Sequence, residues 1–117
     1  MSNSQAGLTS AVFNVLLALA DGDKHGYAIL KEVAAHTAGE VQLSTGTLYG
    51  IIKRLLEDGL VVEVTGRPGI PVDDQRRRYY RLTTDGRTVA IEEARRLEKL
   101  LARARSKRLI QALKGAL

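Results

Sequence analysis

Leu43-Ser44-Thr45-Gly46-Thr47-Leu48-Tyr49-Gly50-Ile51-Ile52-Lys53-Arg54-Leu55-Leu56-Glu57-Asp58-Gly59-Leu60-Val61 is the stretch on which the fold turns. At 100° per residue, Leu48, Ile51, Ile52, Leu55 and Leu56 form one apolar stripe, which predicts an amphipathic helix. Gly46, Gly50 and Lys53 fall on the opposite side, flanked by Thr47, Tyr49 and Arg54. Glycine on an exposed helix face costs roughly 1 kcal/mol relative to alanine. Two glycines four apart, beside hydroxyls and cations, suit a backbone that must come close to a partner, as a recognition helix does in a DNA groove. A core helix with a loose solvent face fits the same residues. Ser44 is a suitable N-cap, and Leu43 with Leu48 has the spacing of a hydrophobic staple. Asp58-Gly59 supplies the stop.

Two further helices are predicted before this one. The first covers residues 10–20, with Thr9 as N-cap and Ala11, Val12, Val15, Leu16 and Leu19 at helical spacing, stopped by Asp21-Gly22-Asp23. The second runs from residue 26 to about 36, with Tyr27, Leu30, Val33 and Ala34 on one face, closed by Thr37-Ala38-Gly39. After residue 59 the period changes. Residues 60–65 and 78–83 read as strands, with Tyr80 and Leu82 on one face of the second and Tyr79 and Arg81 on the other. Pro68, Gly69, Pro71 and two aspartates mark a loop between them. Thr83 then caps a last helix expected to run to about Lys114, with a kink or a new face past Ser106.

Three short helices followed by a hairpin with a long basic tip describe a winged helix-turn-helix. The fold class is mostly α with a small β-hairpin, a winged helix-turn-helix domain over residues 1–83 and a long C-terminal dimerisation helix over 84–117. Net charge is +5, unevenly placed. Residues 67–87 hold six arginines against three aspartates, and Arg76-Arg77-Arg78 sits where the hairpin returns. Arginines there suit phosphates or a minor groove; an arginine run that only solvates an edge strand is the alternative. Residues 95–108 hold seven cations against Glu98. These flank the apolar seam of the last helix, where their long stems cover apolar surface; a further DNA contact is the alternative.

That helix needs a partner. Ala90, Ala94, Leu97, Leu101 and Ala104 recur at spacings of four and three, the seam of a coiled-coil-like contact between two copies. Packing back onto the first helix is compatible with it.

Other function classes fit poorly. With no cysteine and only His25 and His36, no metal site and no cofactor are expected. His25 reads as a helix-start residue. Asp73-Asp74 lies in a hairpin loop, a poor place for a preorganised acid–base pair. Glycine-rich phosphate loops are absent. No long apolar run or signal-peptide pattern is present, so a cytoplasmic protein without membrane contact is expected.

The run Leu16-Leu17-Ala18-Leu19-Ala20-Asp21-Gly22, then His25-Gly26-Tyr27-Ala28-Ile29, then Gly46-Thr47-Leu48-Tyr49 with Arg54-Leu55 and Gly59-Leu60, then Asp74-Gln75-Arg76-Arg77-Arg78-Tyr79-Tyr80-Arg81-Leu82-Thr83 and Gly86, resembles the PadR family of bacterial transcriptional regulators. The short form, with a single C-terminal helix, is similar to the subfamily that includes small multidrug-sensing repressors. The likeness covers residues 8–105. It implies a homodimeric repressor that binds a pseudo-palindromic operator in double-stranded DNA and is often released by a small aromatic effector. By position, the DNA-contacting helix falls on residues 44–58, with Ser44, Thr45, Gly46, Thr47, Tyr49 and Gly50 at its N-terminal end and Lys53 further along. The wing contacts would be Arg76 and Arg77. Tyr27 and Lys31 would reach phosphates, although Tyr27 fits the core as well. Val12, Phe13, Leu97 and Leu101 would line an apolar effector pore between subunits. One departure is Ser44-Thr45-Gly46, where the family often has a proline before the glycine. A ligand-sensing or protein-interaction module without operator binding is the alternative on the same fold.

Overall fold

The computed structural model describes residues 7–65 and 78–111. The elements follow in the order α1 (Ser10–Leu19), β1 (Lys24–His25), α2 (Gly26–His36), α3 (Thr45–Glu57), β2 (Val61–Val64), β3 (Tyr79–Leu82) and α4 (Thr84–Ser106). The sheet is antiparallel in the order β1-β3-β2. Val61 stands opposite Leu82 and Val64 opposite Tyr79, while His25 of β1 pairs with Tyr79 on the other edge. The hairpin is therefore extended by a third strand that the sequence does not announce: two residues are too few to show alternation.

The core lies where α1, α2 and α3 meet the sheet. Val15, Leu16, Leu19, Ile29, Val33, Leu48, Ile52, Leu55, Val61 and Tyr80 are all buried. In α2 the inward face is carried by Gly26, Ile29 and Val33, and Tyr27 is 59 % exposed rather than packed with Leu30 and Val33. Tyr80 and Leu82 point inward and Arg81 outward, as the alternation requires.

Each helix start is capped by a side chain. The Thr9 hydroxyl accepts from the Val12 N–H at 3.2 Å and Ser44 from the Thr47 N–H at 3.0 Å. The His25 ring Nδ1 accepts from the Ala28 N–H at 3.2 Å, and Thr83 accepts from the Gly86 N–H at 3.0 Å. His25 is the helix-start residue that its position suggested; its ring also meets Tyr79 edge-on at 5.3 Å.

The ends of α3 and α4 share one device. After α3, Gly59 takes a positive φ of 74°, its N–H donates to Leu56, and the Leu60 N–H reaches back to Leu55. This is a Schellman stop. α4 ends the same way, earlier than expected. Arg108 has a φ of 63°, its N–H donates to Arg105, and the Leu109 N–H donates to Ala104. The last helix thus closes at Ser106, not at about Lys114, and its 23 residues span about 35 Å.

α4 is tied to the rest of the domain at two places. At its start, the Thr83 N–H donates to the Leu60 carbonyl at 3.0 Å and its hydroxyl to the Gly59 carbonyl at 2.7 Å. About three turns further along, Glu93 is 5 % exposed and accepts from both the Nε and Nη2 of Arg96, at 3.0 and 2.6 Å. The Leu8 N–H donates to the same carboxylate at 3.3 Å, so α4 holds the segment that leads into α1. Beyond Glu93, only Arg96, Leu97, Ala104 and Arg105 of the helix are partly buried, and the rest are exposed.

Candidate nucleic-acid interface

α3 buries Leu48, Ile52 and Leu55 and leaves Ser44, Thr45, Gly46, Thr47, Tyr49, Gly50 and Lys53 exposed along one side. A β-carbon at Gly46 or Gly50 would meet nothing within 4 Å. The fold itself therefore asks for glycine at neither position. This face is smooth at the two glycines and polar around them.

The hydroxyls on it are not equivalent. Ser44 caps the helix and also donates to the Thr47 hydroxyl at 2.9 Å, which leaves the Thr47 proton able to point outward. Thr45 is exposed at the first turn. The Tyr49 ring, 44 % exposed, leans on α2, and a β-carbon at Gly26 would overlap its hydroxyl and stand 2.8 Å from its Cζ. Gly26 thus lets the tyrosine of α3 lie across the N-terminus of α2, and the angle between the two helices depends on that approach.

Next to Tyr49 is a second patch. His25, Gly26, Tyr27, Tyr49 and Arg78 line a depression of about 300 Å³ at the start of α2. Lys31 places its Nζ 5.4 Å from the centre of the Tyr27 ring, one turn along. Arg78 is 74 % exposed and stands 3.8 Å from the Glu63 carboxylate across the hairpin. The start of α2, the start of α3 and the root of the hairpin therefore present tyrosines and cations side by side. Arg78 belongs to the site by position; the arginine run 76–78 was its sequence signal. Arg76 and Arg77 themselves lie outside the described residues.

The hairpin root is braced. Arg81 donates its Nε and Nη2 to the two carboxylate oxygens of Asp23, both at 2.9 Å, joining β3 to the turn after α1. The Asp23 carboxylate holds the guanidinium pKa above its ordinary value, and the two parallel bonds make Arg81 a brace.

The expected dimer residues all lie on α4. Ala90 packs against the core, Leu97 and Ala104 are half-covered, and Ala94 and Leu101 are exposed. The effector residues were expected between two subunits, and one chain shows only their separate surroundings. Val12 lines a groove between α1 and α3 that Phe13, Leu97 and Leu101 do not share. Among the described residues, no cluster of three or more metal-ligating side chains occurs, and no helix is long and apolar enough to cross a membrane.

Comparison with known proteins bears on this arrangement. The profile of the Transcriptional regulator PadR-like family matches residues 15–92. Transcriptional regulator Rv3488 of Mycobacterium tuberculosis is 37 % identical over 87 residues, covering 74 % of this chain and 75 % of that protein. Among solved structures, a PadR family transcription regulator of Clostridium difficile superposes with a TM-score of 0.64 at 23 % identity, covering 87 % of this chain and 100 % of the other. BpsR of Bordetella bronchiseptica, whose DNA binding is regulated by 6-hydroxynicotinic acid, superposes with a TM-score of 0.63 at 26 % identity, covering 95 % and 71 %.

Proposed function

Because the chain belongs to the PadR-like family of transcriptional regulators, we propose that it acts as a homodimeric repressor that reads a pseudo-palindromic operator through α3. The observation that carries this reading is the pair Gly46 and Gly50, exposed on the polar face of α3 with open space where side chains would stand. Glycine costs helix stability there and relieves nothing inside the fold, so its use is accounted for by close approach to a partner. A helix laid in a major groove, N-terminal residues foremost, is such an approach.

In that pose Thr45, Thr47 and the ring of Tyr49 face base edges and thymine methyls. Lys53, further along α3, faces the backbone, and Tyr27 and Lys31 of α2 flank it. Arg76 and Arg77 reach phosphates from the wing. Two copies joined along Ala90, Ala94, Leu97, Leu101 and Ala104 would set two α3 helices about one DNA turn apart, roughly 34 Å. Support for the seam comes from Leu100 and Leu101, 45 % and 46 % exposed on a helix that outruns its own domain. Regulation by a small aromatic effector is the remaining part of the reading, and the likeness to BpsR supports it.

A gel-shift titration with the DNA upstream of the protein's own gene tests this. A retarded band that survives competition by unrelated duplex is expected. Equal competition by any duplex would leave a protein without operator choice and overturn the reading.

A further inference from the structure

A groove of about 560 Å³ runs between α1 and α3, within the size range of pockets that hold small organic molecules. Leu8, Val12 and Leu16 form one wall, and Ile51 and Leu55 of α3 form the other. Leu16 is fully buried at its floor. The body of any occupant therefore meets hydrocarbon. The rim is different. Arg54 stands there exposed, and among the described residues it pairs with no carboxylate. Asp58 follows one turn later on the same rim.

We propose that this groove is a binding site for a small apolar monoanion. An aromatic or alkyl body lies between α1 and α3, and one carboxylate or sulfonate faces Arg54. A guanidinium is suited to such a group by its forked, always-charged donors. The Asp58 carboxylate opposes a second negative charge, which selects a monoanion over a dianion. Of the residues expected at a pore between subunits, Val12 lines this groove and Phe13, Leu97 and Leu101 do not.

Its position also gives it a consequence. Thr47 and Gly50 line its outer edge and belong to the face assigned to DNA, while Gly7 and Leu8 line its inner edge, where Glu93 of α4 holds the Leu8 N–H. An occupant at Arg54 brings negative charge beside the face that must accept phosphates, and so opposes DNA. This second half rests on the DNA-binding reading above; the binding site does not.

The probe is 1-anilinonaphthalene-8-sulfonate, an aromatic monoanion whose emission rises on leaving water. With the full chain, saturable binding at one probe per protomer is expected. Val12→Trp, which fills the groove, should abolish it, and Arg54→Gln, at an exposed position, should weaken it about tenfold. Circular dichroism checks that each variant is folded, and Arg54→Gln decides the matter if Val12→Trp is not. Binding unchanged by Arg54→Gln overturns the site, as does absence of binding. Binding that falls as protein concentration rises means that a second copy covers the groove, and overturns it too. The probe should also displace DNA from the parent protein. If DNA stays bound while the probe fills the groove, the regulatory half fails and the site stands. If the parent binds no DNA at all, the function proposed above fails, and the fluorescence titration still judges the groove.

Discussion

Gly86 packs its Cα directly against the carbonyl group of Leu60. The contact joins the first turn of α4 to the link between α3 and β2, and three hydrogen bonds hold it from both sides. The Leu60 carbonyl accepts from the Thr83 N–H, the Gly59 carbonyl accepts from the Thr83 hydroxyl, and that hydroxyl in turn accepts from the Gly86 N–H. A β-carbon at 86 would overlap the Leu60 oxygen and stand 2.9 Å from the carbonyl carbon and 3.1 Å from Leu82 Cδ2. The angle at which the last helix leaves the domain is set here.

Gly86→Ala is therefore expected to destabilise the protein even though alanine favours helix. Overpacking backbone against backbone costs about 2 kcal/mol. Urea unfolding followed by circular dichroism measures it. A variant as stable as the parent would mean that α4 is free to shift, contrary to the hydrogen bonds around Thr83.

Glu93 makes stability depend on pH in a stated direction. The Arg96 guanidinium bonded to its carboxylate holds the pKa below the ordinary value, against the opposite pull of burial, and the Leu8 N–H adds to the lowering. A depressed folded-state pKa contributes stability above the unfolded value, about 4.3 for glutamate, and that contribution is lost as pH falls through the folded value. Glu93→Gln should melt below the parent at neutral pH, with the gap narrowing from about pH 5 to about pH 3. A gap of constant size across that window would remove Glu93 from the acid response.

The dimer proposed above makes α4 the test piece. Leu97 and Leu101 lie four apart on its exposed half. Leu97→Glu with Leu101→Glu should yield monomers in sedimentation, because two charges in an apolar seam lose their hydration. A stable dimer of the double variant would place the interface on another surface.

The wing is expected to contribute affinity rather than sequence choice. Arg76→Ala with Arg77→Ala should weaken binding to all duplexes alike and flatten the log–log salt dependence by about 0.9 per lost phosphate contact. A changed preferred site at an unchanged salt slope would contradict this.

The legible parts of the molecule were those with a local cause. Thr9, Ser44 and Thr83 cap the helices that their positions suggested, and the buried and exposed sides of α3 follow its apolar spacing. Where the cause is tertiary, the sequence is silent. The end of α4 hangs on Arg108 in a left-handed conformation that glycine or asparagine usually signals, and the apolar residues after it imitate a continuing stripe. Glu93 sits within Glu92-Glu93-Ala94-Arg95-Arg96, which reads as a solvated helix face until the segment at Leu8 is seen to cover it. Tyr27 looks like a core aromatic because Leu30 shares its side of α2, yet the helix is rotated onto Ile29 and Val33. The groove between α1 and α3 joins Leu8 and Val12 to Ile51 and Leu55, positions that no local pattern connects.

Gly50→Leu tests the central claim most directly, that the polar face of α3 enters a DNA groove. A side chain at 50 meets open space, so the fold should survive, and the helix should gain up to about 1 kcal/mol. The measurement is a titration of a duplex that the parent protein has selected from a random pool, alongside thermal melting of both proteins. The variant is expected to melt no lower than the parent and to lose specific binding, because leucine holds the helix away from the bases. A folded Gly50→Leu protein that binds the selected duplex with parental affinity would contradict the assignment of this face to DNA.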